Sequence, residues 1–155
     1  MQQPTYLNPI NFIFTLARAP NTVFNVQSVS LPGMALSTPE VPTPFVRIPL
    51  SGGQLSYDEL RVTFKVTEDM SSYLEIFDWM VKLGHPDTLA QYEDLKSDCT
   101  LVMLDHSMNP IVRCNFKDAM PVSIGSVEFD VTLQDVQYAT VDATFKFLRY
   151  EYVKL

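Results

Sequence analysis

The sequence predicts an α+β fold, mostly β: a β-sandwich or barrel with one amphipathic helix and a long Pro-rich extended loop. Three observations predict it. Aromatic and β-branched runs with period-two alternation dominate the chain, one stretch carries helical spacing, and prolines crowd the leading third. With 155 residues, 46% apolar and 19% charged, residues 1–155 suffice for one core and not for a second domain.

Two apolar runs open the chain, 11–17 and 23–29, and Ala19-Pro20-Asn21 separates them, which predicts a hairpin. Prolines 32, 39, 42, 44 and 49 and the pair Gly52-Gly53 follow. Each proline removes a ladder donor, so no central strand runs through residues 31–56. Yet Met34, Leu36, Val41, Phe45, Val46, Ile48 and Leu50 are spread along this segment. An extended arm with that many apolar side chains must lay them on its own core or on a neighbouring subunit. Under the second alternative these seven residues are the candidate subunit interface.

Residues 57–66 read as a strand, because Leu60, Val62, Phe64 and Val66 alternate with Arg61, Thr63 and Lys65. A helix follows. Glu68 and Asp69 supply negative charge at its start. Tyr73, Ile76, Phe77, Met80 and Val81 form one apolar stripe that places Phe77 in the core. Gly84 in a left-handed conformation, then Pro86, would end it. Trp79 falls off the stripe beside Glu75 and Asp78, which places it under a loop or at a subunit interface. Beyond the helix lie strands over 100–104 and 111–116, then 127–133 and 136–152. In the last run the apolar parity switches between Phe147 and Leu148, which predicts a bulge or a change of environment there.

Charge divides the chain unevenly. Residues 1–56 hold only Arg18, Glu40 and Arg47, while the remainder is strongly acidic, for a net −7 overall. An acidic chain is a poor gripper of nucleic acid. No stretch reaches the roughly 20 apolar residues of a membrane span, and Met1-Gln2-Gln3-Pro4 lacks the start of a signal peptide. The expectation is a soluble, unexported chain. Cys99 and Cys114 lack zinc spacing and read as two buried thiols in a reducing compartment.

Chemistry is hard to find. Asp105-His106-Ser107 has the letters of a triad, but consecutive turn residues cannot aim at one another as nucleophile, base and orienter. Glu68-Asp69, Glu93-Asp94 and Asp58-Glu59 read as solvated surface. Gly52-Gly53 is no phosphate cradle, and no calcium-loop spacing surrounds Asp130 or Asp135. The reading is a non-enzyme without cofactor or metal.

Several pieces, in this order, carry a resemblance. They are the strand 11–16, Gln27-Ser28-Val29-Ser30-Leu31-Pro32-Gly33 leading into the arm, and the run 57–66 that begins Tyr57-Asp58-Glu59-Leu60. Then come Glu68-Asp69, Tyr73-Leu74, Trp79-Met80, Leu104-Asp105, Asn115-Phe116 and Ser126-Val127-Glu128-Phe129. Over about residues 11–150 the chain resembles the tail completion and sheath stabiliser (tail-tube terminator) proteins of contractile-tailed phages, whose fold is similar to that of the tail tube protein.

The resemblance implies a tail-tube-like fold and a structural role in the virion, assembled in the host cytoplasm. It implies a homo-oligomer, a hexameric ring that ends the tail tube at the neck. Implied partners are the tail tube protein and sheath terminator or neck proteins, with DNA passing through the hole without specific binding and no membrane involved. Six chains at −7 each would carry −42 in all, and acids on the channel face would keep DNA from sticking, over a screening length of about 8 Å. Asp130, Asp135 and Asp142 are the candidate channel-facing residues. Two other functions stay open: a major tail tube protein or baseplate tube initiator, and, from another class, a monomeric β-barrel module holding a small apolar ligand.

Overall fold

The structure, a computed structural model, describes residues 3–85, 94–135 and 137–155. Pro86, Glu93 and Val136, used above, lie outside them, as do Met1 and Gln2.

The leading strand β1 (Phe12–Leu16) is followed by a short helix α1 (Pro20–Phe24) and strand β2 (Val26–Ser30). Four short strands come next: β3 (Met34–Leu36), β4 (Glu40–Pro42), β5 (Arg47–Pro49) and β6 (Leu55–Tyr57). Strand β7 (Leu60–Lys65) then leads into helix α2 (Ser71–Gly84). The chain ends with β8 (Ser97–Leu104), β9 (Pro110–Ile124), β10 (Thr140–Lys146) and β11 (Arg149–Lys154).

The expected opening hairpin does not form. Pro20 starts a five-residue helix instead, a position where its missing N–H costs nothing. The strands on either side therefore part: β1 pairs antiparallel with β8, and β2 with β7. The fold thus has a second helix beyond the one the sequence predicts.

The 15-residue β9 is the spine. Its first part lies between β8 and β11, and its last part pairs with β10. The sheet order is β1-β8-β9-β10-β7-β2, with β11 branching off β9. Strands β10 and β11 are one excursion along β9, broken at Phe147-Leu148, where the sequence parity switches. Residues 127–133, expected as a strand, are not one. Alternation there is real, but among the described residues no strand pairs with it, and Phe129, Val131 and Leu133 are exposed.

The core fills the space between the sheet's inner face and the helices. Leu60, Val62 and Phe64 of β7 are fully buried, with Phe116, Phe145 and Ile76. Arg61 and Lys65 point outward from the same strand, as the alternation requires. Cys99 and Cys114 are free and buried. Burial pushes the Cys99 thiol up to about 12, with the Asp98 charge adding to it, so it stays protonated and unreactive.

Helix α2 is rotated relative to the predicted stripe. Its buried face is Ser72, Ile76 and Trp79, flanked by Tyr73, Met80 and Leu83, while Phe77 is 47% exposed. Ser72 is small and polar, and it hides this face in the sequence. Its hydroxyl donates to the Lys65 carbonyl, and its own carbonyl accepts from Thr22 Oγ1 at 2.8 Å. Asp69 receives the Ser71 amide at 3.1 Å, so the acid expected at the helix start acts there. Gly84 stays inside the helix; the last turn closes through the His85 amide on the Val81 carbonyl, and no left-handed glycine is needed.

Candidate functional site

Residues 34–57 fold as a two-tier β-arm. The base pairs Met34–Leu36 with Leu55–Tyr57, and the tip pairs Glu40–Pro42 with Arg47–Pro49. Prolines fit here because both ladders are two-stranded and every strand is an edge. At the turn, Thr43 Oγ1 and Val46 bond each other in both directions through the Val46 amide and carbonyl. Arg47 Nη1 meets Glu40 Oε2 at 3.3 Å across the tip.

The arm rests on an aromatic cluster. Tyr57 packs on Phe147 and Tyr150, with ring centroids 5.6 and 5.3 Å apart, and Phe116 joins both from β9. The Tyr150 hydroxyl donates to the Pro32 carbonyl at 3.0 Å, tying β11 to the start of the arm.

Beyond that anchor the arm leaves the body. Met34, Leu36, Val41, Val46, Ile48 and Leu50 are all exposed, and Phe45 at the tip is 94% exposed. These side chains are not laid on the chain's own core. The whole chain has 11298 Å² of accessible surface, whereas a compact monomer of this mass has about 7,900 Å². Projecting segments account for such an excess, and large exposed apolar patches mark interaction surfaces.

Trp79 does not belong to that surface. It is 5% exposed, packs on Phe145 at 6.1 Å, lies under Arg18, and its indole N–H bonds the Leu95 carbonyl. A tryptophan buried so fully by its own chain has no area left to offer a neighbour, which corrects its candidacy as an interface residue. The sequence missed another exposed apolar element, the segment 126–135, where Phe129 is 85% exposed between Glu128 and Asp130. Its alternation was the available signal.

The three acids are all exposed, but in two places. Asp130 and Asp135 lie in segment 126–135. Asp130 accepts from the Thr132 hydroxyl and amide, and these bonds hold its carboxyl below the ordinary value. Asp142 lies on β10 and accepts from Thr63 Oγ1 at 2.6 Å. Its face of the sheet also carries Arg61 and Lys65, with Lys146 meeting Glu59 at 3.8 Å. That face is of mixed charge.

The turn letters 105–107 do other work. Asp105 accepts the amides of Ser107 and Asn109 at 2.8 Å each, while His106 Nε2 lies 3.2 Å from the Tyr6 carbonyl. The three side chains are not arranged as a relay. The interior is filled by Phe64, Phe116 and Phe145, which argues against a barrel that encloses a small ligand.

No family model matches the chain. A relative of known role does: the tail tube terminator protein of Enterobacteria phage T4 is 30% identical over 136 residues, spanning 81% of this chain and 76% of that protein. The fold is also found in the tube-terminating cap of the anti-feeding prophage, with TM-score 0.72, 19% identity, and coverage of 100% of this chain and 95% of that one. The sheath/tube terminator of the extracellular contractile injection system PVC, in its extended state, gives TM-score 0.67 and 22% identity over 96% and 98% of the two chains.

Proposed function

The chain belongs to the tail tube terminator family, and from that premise we propose that it forms a hexameric ring that ends the tail tube at the neck. The role is structural, in the virion tail. The ring stabilises tube and sheath, stacks on tail tube protein, offers its other surface to sheath terminator or neck proteins, and performs no reaction.

The observation that carries the ring is the apolar arm. Side chains such as Phe45, Val46 and Ile48 stand in water in the single chain, at about 25 cal/mol for each Å² left unburied. A neighbouring copy relieves that cost. A ring requires a heterologous contact, in which one patch meets a different patch on the next copy, and a projecting arm is such a patch. Prolines restrict the free arm, so less entropy is lost when it docks.

DNA passes through the hole without specific binding. Asp142 on its mixed-charge face, with Asp130 and Asp135 in segment 126–135, are the channel-facing acids of this proposal. Acids spaced among Arg61 and Lys65 leave no continuous basic track for phosphates to settle on.

Electron microscopy and sedimentation of the purified chain test this reading. Discrete six-fold rings at high concentration are expected. Long tubes would overturn termination, and a persistent monomer would overturn the ring. Deleting Leu36–Pro49 should abolish rings and leave the body folded.

A further inference from the structure

Resting on the arm-to-neighbour reading above, we infer that the arm's tip residue Phe45 inserts into an apolar socket at the arm base of the next copy of this chain. The socket has a volume of about 150 Å³ and is open to the surface. Leu7, Phe12, Val29, Leu31, Leu101 and Met103 supply its apolar lining. It sits where the N-terminal segment crosses between β8 and β2, two strands that do not pair.

Size selects the guest. A cavity of about 150 Å³ lined by Leu, Ile and Phe takes up a benzene ring. The phenyl group of Phe45 has that shape and is almost wholly in water in the single chain. Reach selects the copy. Leu31 lines the socket and Gly33 begins the arm, so the socket lies at the arm's own root. Phe45 lies nine residues beyond Leu36, a contour of about 30 Å at strand rise, and it caps a hairpin carried by two ladders. In the single chain Phe45 stands exposed and does not fill its own root, so the socket it meets belongs to another molecule.

Charge does not select the socket: Leu31 also borders a neighbouring groove of mixed charge, with Asp58, Glu59, Arg61 and Lys146, and Arg47 on the tip already meets Glu40. The apolar ring is what the tip brings to the root. Each copy has one tip and one root, so the contact is heterologous and is used up when a ring closes.

Cross-linking tests the pairing. A Phe45→Cys chain is mixed with a differently tagged Met103→Cys chain and oxidised under ring-forming conditions. The native thiols are buried and do not compete. A disulfide-linked heterodimer is the expected result, and Phe45→Ala should raise the concentration for half-assembly on the order of tenfold or more. Rings that form without the heterodimer overturn the socket. The chain lacking Leu36–Pro49 runs alongside. If it forms no rings while the heterodimer is absent, the arm reading stands and the socket alone is wrong. If it still forms rings, both fall.

Discussion

The indole N–H of Trp79 donates a 2.6 Å hydrogen bond to the carbonyl oxygen of Leu95, so the largest side chain of α2 is held inward by its polar end as well as its ring. Trp79→Ala removes a buried aromatic and leaves a cavity, an expected loss of about 3–5 kcal/mol. Trp79→Phe keeps most of the ring but strands the Leu95 carbonyl, for about 1–3 kcal/mol. Phe77→Ala, at a half-exposed site, should cost less than either. Urea titration of the three variants checks the order. A larger loss at Phe77 than at Trp79 would return the core to the stripe that the spacing suggests.

That reversal shows where sequence reading stopped. Leu60, Val62 and Phe64 were legible because a strand buried on one face has only two phases. The arm was legible because prolines exclude a central strand while apolar side chains demand a partner. On α2 two overlapping stripes both look amphipathic, and long-range contacts such as Thr22–Ser72 and Trp79–Leu95 decide between them. The pairing of β1 with β8 was beyond local pattern, since Phe12 meets Met103 far along the chain. Helix α1 is too short to show a period. On the exposed apolar surface, Phe45 was legible as needing cover, whereas Phe129 looked like a strand residue because alternation alone does not say that a strand finds a partner.

Glu75 links the two helices. Its carboxylate accepts from the Asn21 side chain at 3.0 Å and from the Thr22 amide at 3.1 Å, at the start of α1. Helix α1 has no side-chain cap of its own, so an acid from α2 takes that role. Glu75→Ala should cost about 1–2 kcal/mol by denaturant titration. Glu75→Gln should recover part of that loss, because one amide oxygen still accepts. Equal losses would mean that packing, not capping, holds α1.

Acid should loosen the β8–β9 turn. The Asn109 amide first, then the Ser107 amide and the Asn109 side chain, hold the Asp105 carboxyl below its ordinary 3.8. A depressed folded value means that the carboxylate's contribution is complete above the unfolded value of 3.8 and is lost as pH falls through the folded one. The Ser107 and Asn109 amide resonances should therefore titrate with a midpoint below 3.8. In Asp105→Asn that titration should vanish. A midpoint at or above 3.8 would contradict the turn's geometry.

Gly53 separates the stability of the arm from that of the body. A Cβ there would fall 1.4 Å from the Ser37 carbonyl oxygen, where the Ser37 amide bonds the Gln54 carbonyl and the Gln54 amide bonds Ser37 Oγ. Gly53→Ala must therefore break the join between the two tiers of the arm. The body has its own anchors: Tyr150 holds Pro32, and Tyr57 stacks on Phe147, both on the near side of the break. The body's unfolding free energy should change by no more than about 0.5 kcal/mol, while ring assembly is lost. Gly84→Ala is the control. Among the described residues nothing lies within 4 Å of its Cβ, and alanine in the last turn of α2 should stabilise by at most about 0.5–1 kcal/mol without touching assembly. Sedimentation and denaturant titration of both variants read the two effects separately. If Gly53→Ala weakens body and rings together, arm and body unfold as one unit, and the tip is no freestanding projection.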